Sequence, residues 1–515
     1  MAQERPQHSI LRKLLRPTVD SQPLRPALHG HSVWTYSHLE DQANQLAFTW
    51  LARGFEPGDR VAMLLPNRPE ALLVYLACFK SGLVAVPLDY RYRPPQINYV
   101  LRHSGSRSII THEDRMAEVA ACSEAGAIDV VDIGGASTRP GVQPFLNAAA
   151  PARDLAAAAL RPDDVAVVFY TSGTTGRPKG VTLTRGSLTA GTTQFLARVP
   201  LSGSDVALVA APITRPFALR TQVLPTLHAG GGVVFLERFT AADYLAALRQ
   251  PPVKTFLALA PYALHQVVHA QGVQRADFTG VRLCISGGDR VPLALHHSFQ
   301  QLTGFELSEQ CGMTETGMYA LTPPFGRKKP GSIGLPFYGV QVCLQNAQGD
   351  DVRAGEVGEV VVHSPLMMDG YWNDTAQTRK TLRDGWCRTG DLARFDDDGY
   401  LWFVGRQKNI IVHDGANVSP AEVEDALMAH PAVLEACAVG VPDAVHGQNV
   451  HAFVVLRPGA IPPAEAALLQ FAEARLSRPM VPERIHVVGN FPRTGSGKTD
   501  RDRLQWQAEA GNIAE

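Results

Sequence analysis

The run FYTSGTTGRPKGV, residues 169–181, sets Thr171, Ser172, Thr174 and Thr175 among Gly173, Gly176 and Gly180, with Lys179 near its end. A strand that stops at Tyr170, followed by a glycine-bearing loop, can turn successive backbone N–H groups into one concavity, which is an anion site. The hydroxyls add donors and Lys179 adds a charge, so phosphate is the guest this set suits. Gly/Ser/Thr runs are common as plain surface loops; the apolar strand before this one and its RPKG ending set it apart. It is not a Walker A loop, because Lys179 is followed by Gly180 instead of Ser or Thr and the glycine spacing differs.

Such a loop needs a sheet to present it, and the flanking sequence supplies one. RVAMLL from Arg60 reads as a buried strand, PEALLVYLACFKSG as a helix opened by Pro69 and closed by Gly82, and LVAVPL as a strand. PQINYVLRHSG then reads as a helix closed by Gly105, and SRSIIT as a strand. Strands alternating with helices imply a parallel, helix-covered sheet. The alternation resumes after the Ala-rich stretch Asn147–Leu160, a connector or a surface helix, with DDVAVVFY, DVALVAAPI, GGVVFLE and VRLCISGG.

Beyond Arg406 the texture changes to short strands and helices, and Ser419, Pro420 and Glu422 have the spacing of a capping box. The predicted fold class is α/β: a large N-terminal domain of stacked α/β subdomains with a small mobile C-terminal α+β domain. Residues 1–405 form the large domain, with subdomains at about 1–150 and 151–405, and residues 406–515 form the small one.

The 515 residues carry 48 Lys and Arg against 49 Asp and Glu, so no global field draws the chain to nucleic acid or an anionic membrane. The seven cysteines are scattered without a CxxC or Cys/His cluster, which points away from a disulfide framework or zinc site and toward a reducing cytoplasm. The first residues, MAQERPQHSILRKLLRP, make a poor signal peptide, and no run of about 18 apolar residues suggests membrane insertion.

YTSGTTGRPKG resembles the phosphate loop of the adenylate-forming superfamily, which includes acyl-CoA synthetases, peptide-synthetase adenylation domains and luciferases. Five further motifs follow in that family's order: SGGDRVP (Ser286–Pro292), GMTETG (Gly312–Gly317), GSIGLP, the long run from DGWCRTGDL to VSPAEVE, and PRTGSGKTDRDRL. The resemblance covers the chain from about WTYSHLEDQANQLA to Leu504.

The resemblance implies a role for each station. Glu315 and Thr171 would hold Mg²⁺, and Thr171, Ser172, Gly173, Thr174, Thr175, Lys179 and Thr314 would contact ATP phosphates. Gly287, Gly288 and Asp289 would border adenine and the acyl pocket, with Gln310, Cys311, Gly312 and Met313 beside them. Asp391 would accept both ribose hydroxyls and Arg406 would meet ribose and phosphate oxygens. Lys498 would be the catalytic lysine. Two anions must meet when a carboxylate attacks the α-phosphate. At 4 Å and an effective dielectric near 20 that repulsion is about 4 kcal/mol per charge pair, so cations must converge there. A rotation about a hinge at Lys408 would then exchange the Lys498 loop for the face around Gly415, making room for a thiol arm.

The sequence departs from the family at three positions. Cys311 stands where an aromatic ring commonly stacks on adenine. Arg215 stands where a His is frequent near the substrate carboxylate, and Arg185 replaces another frequent His. With Phe217, Arg220, Gly287 and Thr316, Arg215 is expected to line the substrate pocket, where it reads an anion with Arg220, swings to solvent, or meets a CoA phosphate.

The expected activity is an ATP-dependent acid–CoA ligase that forms an acyl-AMP from a small polar, aryl or anionic carboxylic acid and then a thioester. ATP and Mg²⁺ are required, with CoA as acceptor. The alternatives keep adenylation and change the acceptor or substrate: the thiol of a separate carrier protein, an amine, or nitrite in an ATP-dependent diazotisation. A non-catalytic nucleotide-binding homologue would have no use for Lys498.

Overall fold

The computed structural model describes residues 10–30, 32–133, 142–144, 160–171, 177–494 and 498–511. The apolar runs become Arg60–Leu64, Val84–Pro87 and Ser108–Thr111, parallel strands that are almost wholly buried. Helices on both faces remove any need for alternation, which is why these strands read as continuous apolar runs. The helices Pro69–Ser81 and Pro94–Ser104 start on Pro, whose missing N–H lies among groups unpaired in any first turn. Each ends at a glycine in the left-handed region, Gly82 and Gly105. Helix Tyr36–Ala52 packs on Pro69–Ser81, and the two share a buried ion pair, Lys80 Nζ to Glu40 Oε1 at 2.5 Å.

One eight-stranded sheet joins these strands to Asp129–Asp132 and Val142–Pro144 on one side and to Val165–Thr171, Lys179–Thr184 and Gly370–Tyr371 on the other. A nine-stranded sheet takes Pro26–His29 and Trp34–Thr35, then Val206–Val209, Gly232–Phe235, Phe256–Leu259, Leu283–Gly287, Ser308–Met313, Gly317–Leu321 and Leu335–Pro336. The subdomain division expected near residue 150 is therefore corrected, since both sheets draw strands from both sides of it. Ala85 pairs with Val167 in parallel register, and Leu28 pairs with Val233. A change of composition marks a break along the chain, whereas a parallel strand can pair with a partner far away in sequence.

A third, antiparallel sheet holds Gln341–Gln345, Gly358–His363, Leu382–Arg383, Trp386–Phe395 and Leu401–Arg406. The fourth takes Ile411–His413, Ala416–Val418, Val433–Asp443, Gly447–Leu456 and Arg484–Val487, backed by helices Pro420–Met428 and Glu465–Glu473.

The capping box expected at Ser419 does not form. Pro420 does open its helix, but Ser419 Oγ donates to the carbonyl of Val404 at 2.6 Å instead of capping a helix N–H. A strand carbonyl from the neighbouring sheet lies within reach, and the hydroxyl ties the two sheets together. The expected Ala-rich connector lies outside the described residues except for Leu160. Among the described residues, no helix is long and apolar enough to cross a membrane.

Candidate active site

In open α/β sheets, ligand-binding residues gather at the carboxyl ends of parallel strands. Val165–Thr171 delivers Thr171 at its end, Leu283–Gly287 delivers Gly287, Gly288 and Asp289, and Ser308–Met313 delivers Gln310 to Thr314 and then Glu315. Thr171 and Lys179 face each other across an antiparallel ladder, so the two ends of the glycine-rich loop are brought together. The expected contacts of Ser172, Gly173, Thr174 and Thr175 lie outside the described residues.

Glu315 is only 8% exposed. Its Oε1 accepts a 2.9 Å bond from the hydroxyl of Tyr371, and its backbone carbonyl accepts from the Met368 N–H at 2.7 Å. The ammonium of Lys179 lies 5.5 Å from the Tyr371 ring centroid. Burial pushes the Glu315 carboxyl up, against the pull of the Tyr371 hydroxyl, Arg406 and Lys179. A buried carboxylate is a hard-oxygen donor of the kind that fits Mg²⁺.

Asp391 and Arg406 are register partners on adjacent strands. Asp391 is 2% exposed, and its Oδ2 accepts a 3.0 Å bond from Tyr319 Oη. Arg406 Nε lies 2.8 Å from Oδ1, but off the hydrogen-bond direction, so Oδ1 accepts no hydrogen bond from a described residue. Burial raises the Asp391 carboxyl, with Arg406, Tyr319 and Lys498 pulling the other way. An enclosed carboxylate oxygen without a donor fits a ligand hydroxyl.

Lys498 comes from the small lobe, at a turn where Arg493 bridges Thr499 and the Thr494 N–H bonds the Lys498 carbonyl at 2.8 Å. Its positive charge works against the burial that raises the Asp391 carboxyl. Two further contacts join the lobes: Arg290 pairs with Asp425, and the Arg493 guanidinium lies 4.2 Å from the Tyr262 ring centroid. Lys408 sits on the exposed turn Gln407–Asn409 between the third and fourth sheets.

The substrate-pocket residues divide. Arg215 is not a free anion reader: its Nη2 is 2.5 Å from Oδ2 of buried Asp89, which also holds Arg91. Thr316 is fully enclosed and its hydroxyl bonds the Gly317 carbonyl at 2.8 Å, so it shapes its own loop and does not face the cleft. Gln310 likewise turns inward to Thr221. Phe217 packs partly buried on the main core.

Arg220 is different. Its Nη2 bonds the Leu366 carbonyl at 3.0 Å, its Nη1 is enclosed without a partner, and it has no carboxylate partner among the described residues. Burial alone pulls it down to about 10. Gly317, at φ +72°, is required beside it, because a Cβ there would lie 2.6 Å from Nη2. Arg185 sits in the core on the Phe79 carbonyl, away from the cleft.

Sequence reasoning missed Tyr371, Tyr319 and Asp89. Asp89 carried a signal, an acid just past the end of the apolar run Val84–Pro87. The two tyrosines carried none, since each meets its carboxylate partner from 56 or 72 residues away.

Family models and known proteins match most of the chain. The AMP-binding enzyme family model matches residues 15–372, and the model of that family's C-terminal domain matches residues 422–498. A feruloyl-CoA synthase from Amycolatopsis sp is 37% identical over 91% of this chain and 93% of its own length. A sulfoacetate–CoA ligase from Cupriavidus necator is 34% identical over 92% of each. The crystal structure of an anthranilate CoA ligase in complex with anthranoyl-AMP superposes with a TM-score of 0.92 at 26% identity, covering 98% of both chains.

Proposed function

The chain belongs to the AMP-binding enzyme family of adenylate-forming ligases, and from that premise we propose how its own residues activate a small polar, aryl or anionic acid and pass it to CoA. The observation that carries the reading is the set of cations around two buried carboxylates: Arg406 Nε lies 2.8 Å from Asp391 Oδ1, Lys179 lies over the Tyr371 ring whose hydroxyl holds Glu315, and Lys498 of the small lobe adds its charge to Asp391.

Asp391 takes the ribose hydroxyls of ATP on Oδ1, which accepts no hydrogen bond from a described residue, and Arg406 meets the adjoining oxygens. Thr171 and Glu315 would hold Mg²⁺, whose charge, when bound, neutralises phosphate oxygens. Lys179 and Lys498 add charge around the α-phosphate. There a carboxylate oxygen of the acid attacks phosphorus, the bond to the bridging oxygen breaks, and pyrophosphate leaves with that electron pair. Rotation about Lys408 then withdraws Lys498 and presents the Gly415 face. The CoA thiol gives up its proton as its sulfur attacks the acyl carbon, and the acyl carbon–oxygen bond breaks so that AMP departs with that electron pair. Arg220, with no carboxylate partner among the described residues, reads a polar or anionic group at the far end of the acid. A cytoplasmic location, where ATP and CoA are supplied, belongs to the same reading.

The test is acid-dependent exchange of labelled pyrophosphate into ATP, run over anionic, aryl and aliphatic acids with Mg²⁺. Exchange with at least one polar acid, followed by CoA-dependent AMP release, is the expected result. Absence of exchange with every acid overturns the proposal.

A further inference from the structure

Cys311 removes the ring that would border adenine, and the structure shows what occupies the space behind it. Strands Ser308–Met313 and Gly317–Leu321 run antiparallel, with Cys311 opposite Ala320 and Gly312 opposite Met318. The register shift between those pairs leaves Tyr319 as the extra residue of a β-bulge. Bulges re-aim side chains next to functional sites. Here the Tyr319 ring is wholly buried, so it cannot stack on a base in the cleft.

Its hydroxyl instead lies 3.0 Å from Cys311 Sγ and 3.0 Å from Asp391 Oδ2. A carboxylate oxygen can only accept, so Tyr319 donates to Asp391, and its oxygen is left to accept from the Cys311 S–H. A larger side chain at 311 in the same χ1 rotamer would extend past Sγ into the place of the phenol oxygen. Burial and the neighbouring acids push the Cys311 thiol up to about 12, which keeps it the donor.

We infer that Cys311 and Tyr319 form a directed relay, S–H to O–H to carboxylate, that positions Asp391 with Oδ1 turned to the nucleotide ribose. Tyr319 is thus a positioning residue for ATP, acting through Asp391 and not by stacking. The inference rests on the ribose role assigned to Asp391 above. The small thiol at 311 and the bulged tyrosine at 319 act as one device, since the thiol donates to the same phenol oxygen that donates to Asp391.

The experiment is calorimetric binding of ATP, 2′-deoxy-ATP and 3′-deoxy-ATP, with Mg²⁺, to the full-length protein, which requires no knowledge of the acid. Wild type should bind ATP roughly tenfold or more tightly than at least one deoxynucleotide, the value of a hydrogen bond to a charged group. Tyr319→Phe, which removes one oxygen and keeps the ring, should weaken ATP roughly tenfold and leave that deoxynucleotide within about twofold, so the discrimination collapses. Cys311→Ala should shift the ratio in the same direction by less, and serves if Tyr319→Phe fails to fold. Wild-type discrimination retained in both variants overturns the relay alone. A wild type that binds all three nucleotides alike overturns the ribose role of Asp391, and the relay with it.

Discussion

The Arg215 guanidinium lies 2.5 Å from Oδ2 of Asp89, so the cation expected to read the substrate already has its anion. Arg215→Ala should act on stability, costing about 1–3 kcal/mol, because Asp89 keeps Arg91 but loses its more enclosed partner. Urea unfolding should move while the ranking of accepted acids stays fixed. A changed ranking would return Arg215 to the pocket.

Arg220→Met makes the contrasting case. With the enclosed cation gone, acids bearing a remote anionic or polar group should lose roughly 10- to 100-fold in kcat/KM, and apolar acids of similar size should hold or gain. Pyrophosphate release over matched pairs of acids measures this, and equal losses across the pairs would argue that Arg220 is only structural.

Lys498→Ala should slow adenylate formation by roughly 10²- to 10³-fold, the usual loss for one electrostatic contact to a transition state. Reaction of a supplied acyl-adenylate with CoA should survive, because the proposed rotation would by then have turned another face of the small lobe to the cleft. Parallel loss in both half-reactions would contradict the rotation.

Tyr371→Phe takes a hydrogen-bond donor from the Glu315 carboxylate, whose protonation burial already favours. Removing a group that stabilises the charged form raises the carboxyl further. A protonated Glu315 cannot hold a cation, so activity lost as pH falls should be lost at a higher pH in the variant, with a raised Mg²⁺ requirement. Coincident acid limbs of the two pH profiles would exclude Glu315 as the group that titrates.

Local features of the fold were legible because their causes are local. Pro69 and Gly82 bound one helix by backbone chemistry that needs no partner, and Arg60–Leu64 is apolar because it is covered on both faces. Ser419 shows the limit: the spacing of a capping box was present, yet the Val404 carbonyl fifteen residues back in the chain took its hydroxyl. The same limit applied to Thr316, named for the pocket and found folded onto Gly317.

The sequence by itself determined the kind of chemistry, since the order of its motifs is that of the adenylate-forming family, and the roles proposed for Thr171, Lys179, Glu315, Asp391, Arg406 and Lys498 follow from that order. Only the tertiary structure decided which charges are free to act. Arg215 and Arg220 are five residues apart and chemically identical on paper, yet one is neutralised by Asp89 and the other is enclosed without a counter-ion among the described residues. Charge type is a property of the residue. Whether that charge is still available depends on the dielectric and the partners around it, and strands distant in sequence supply both.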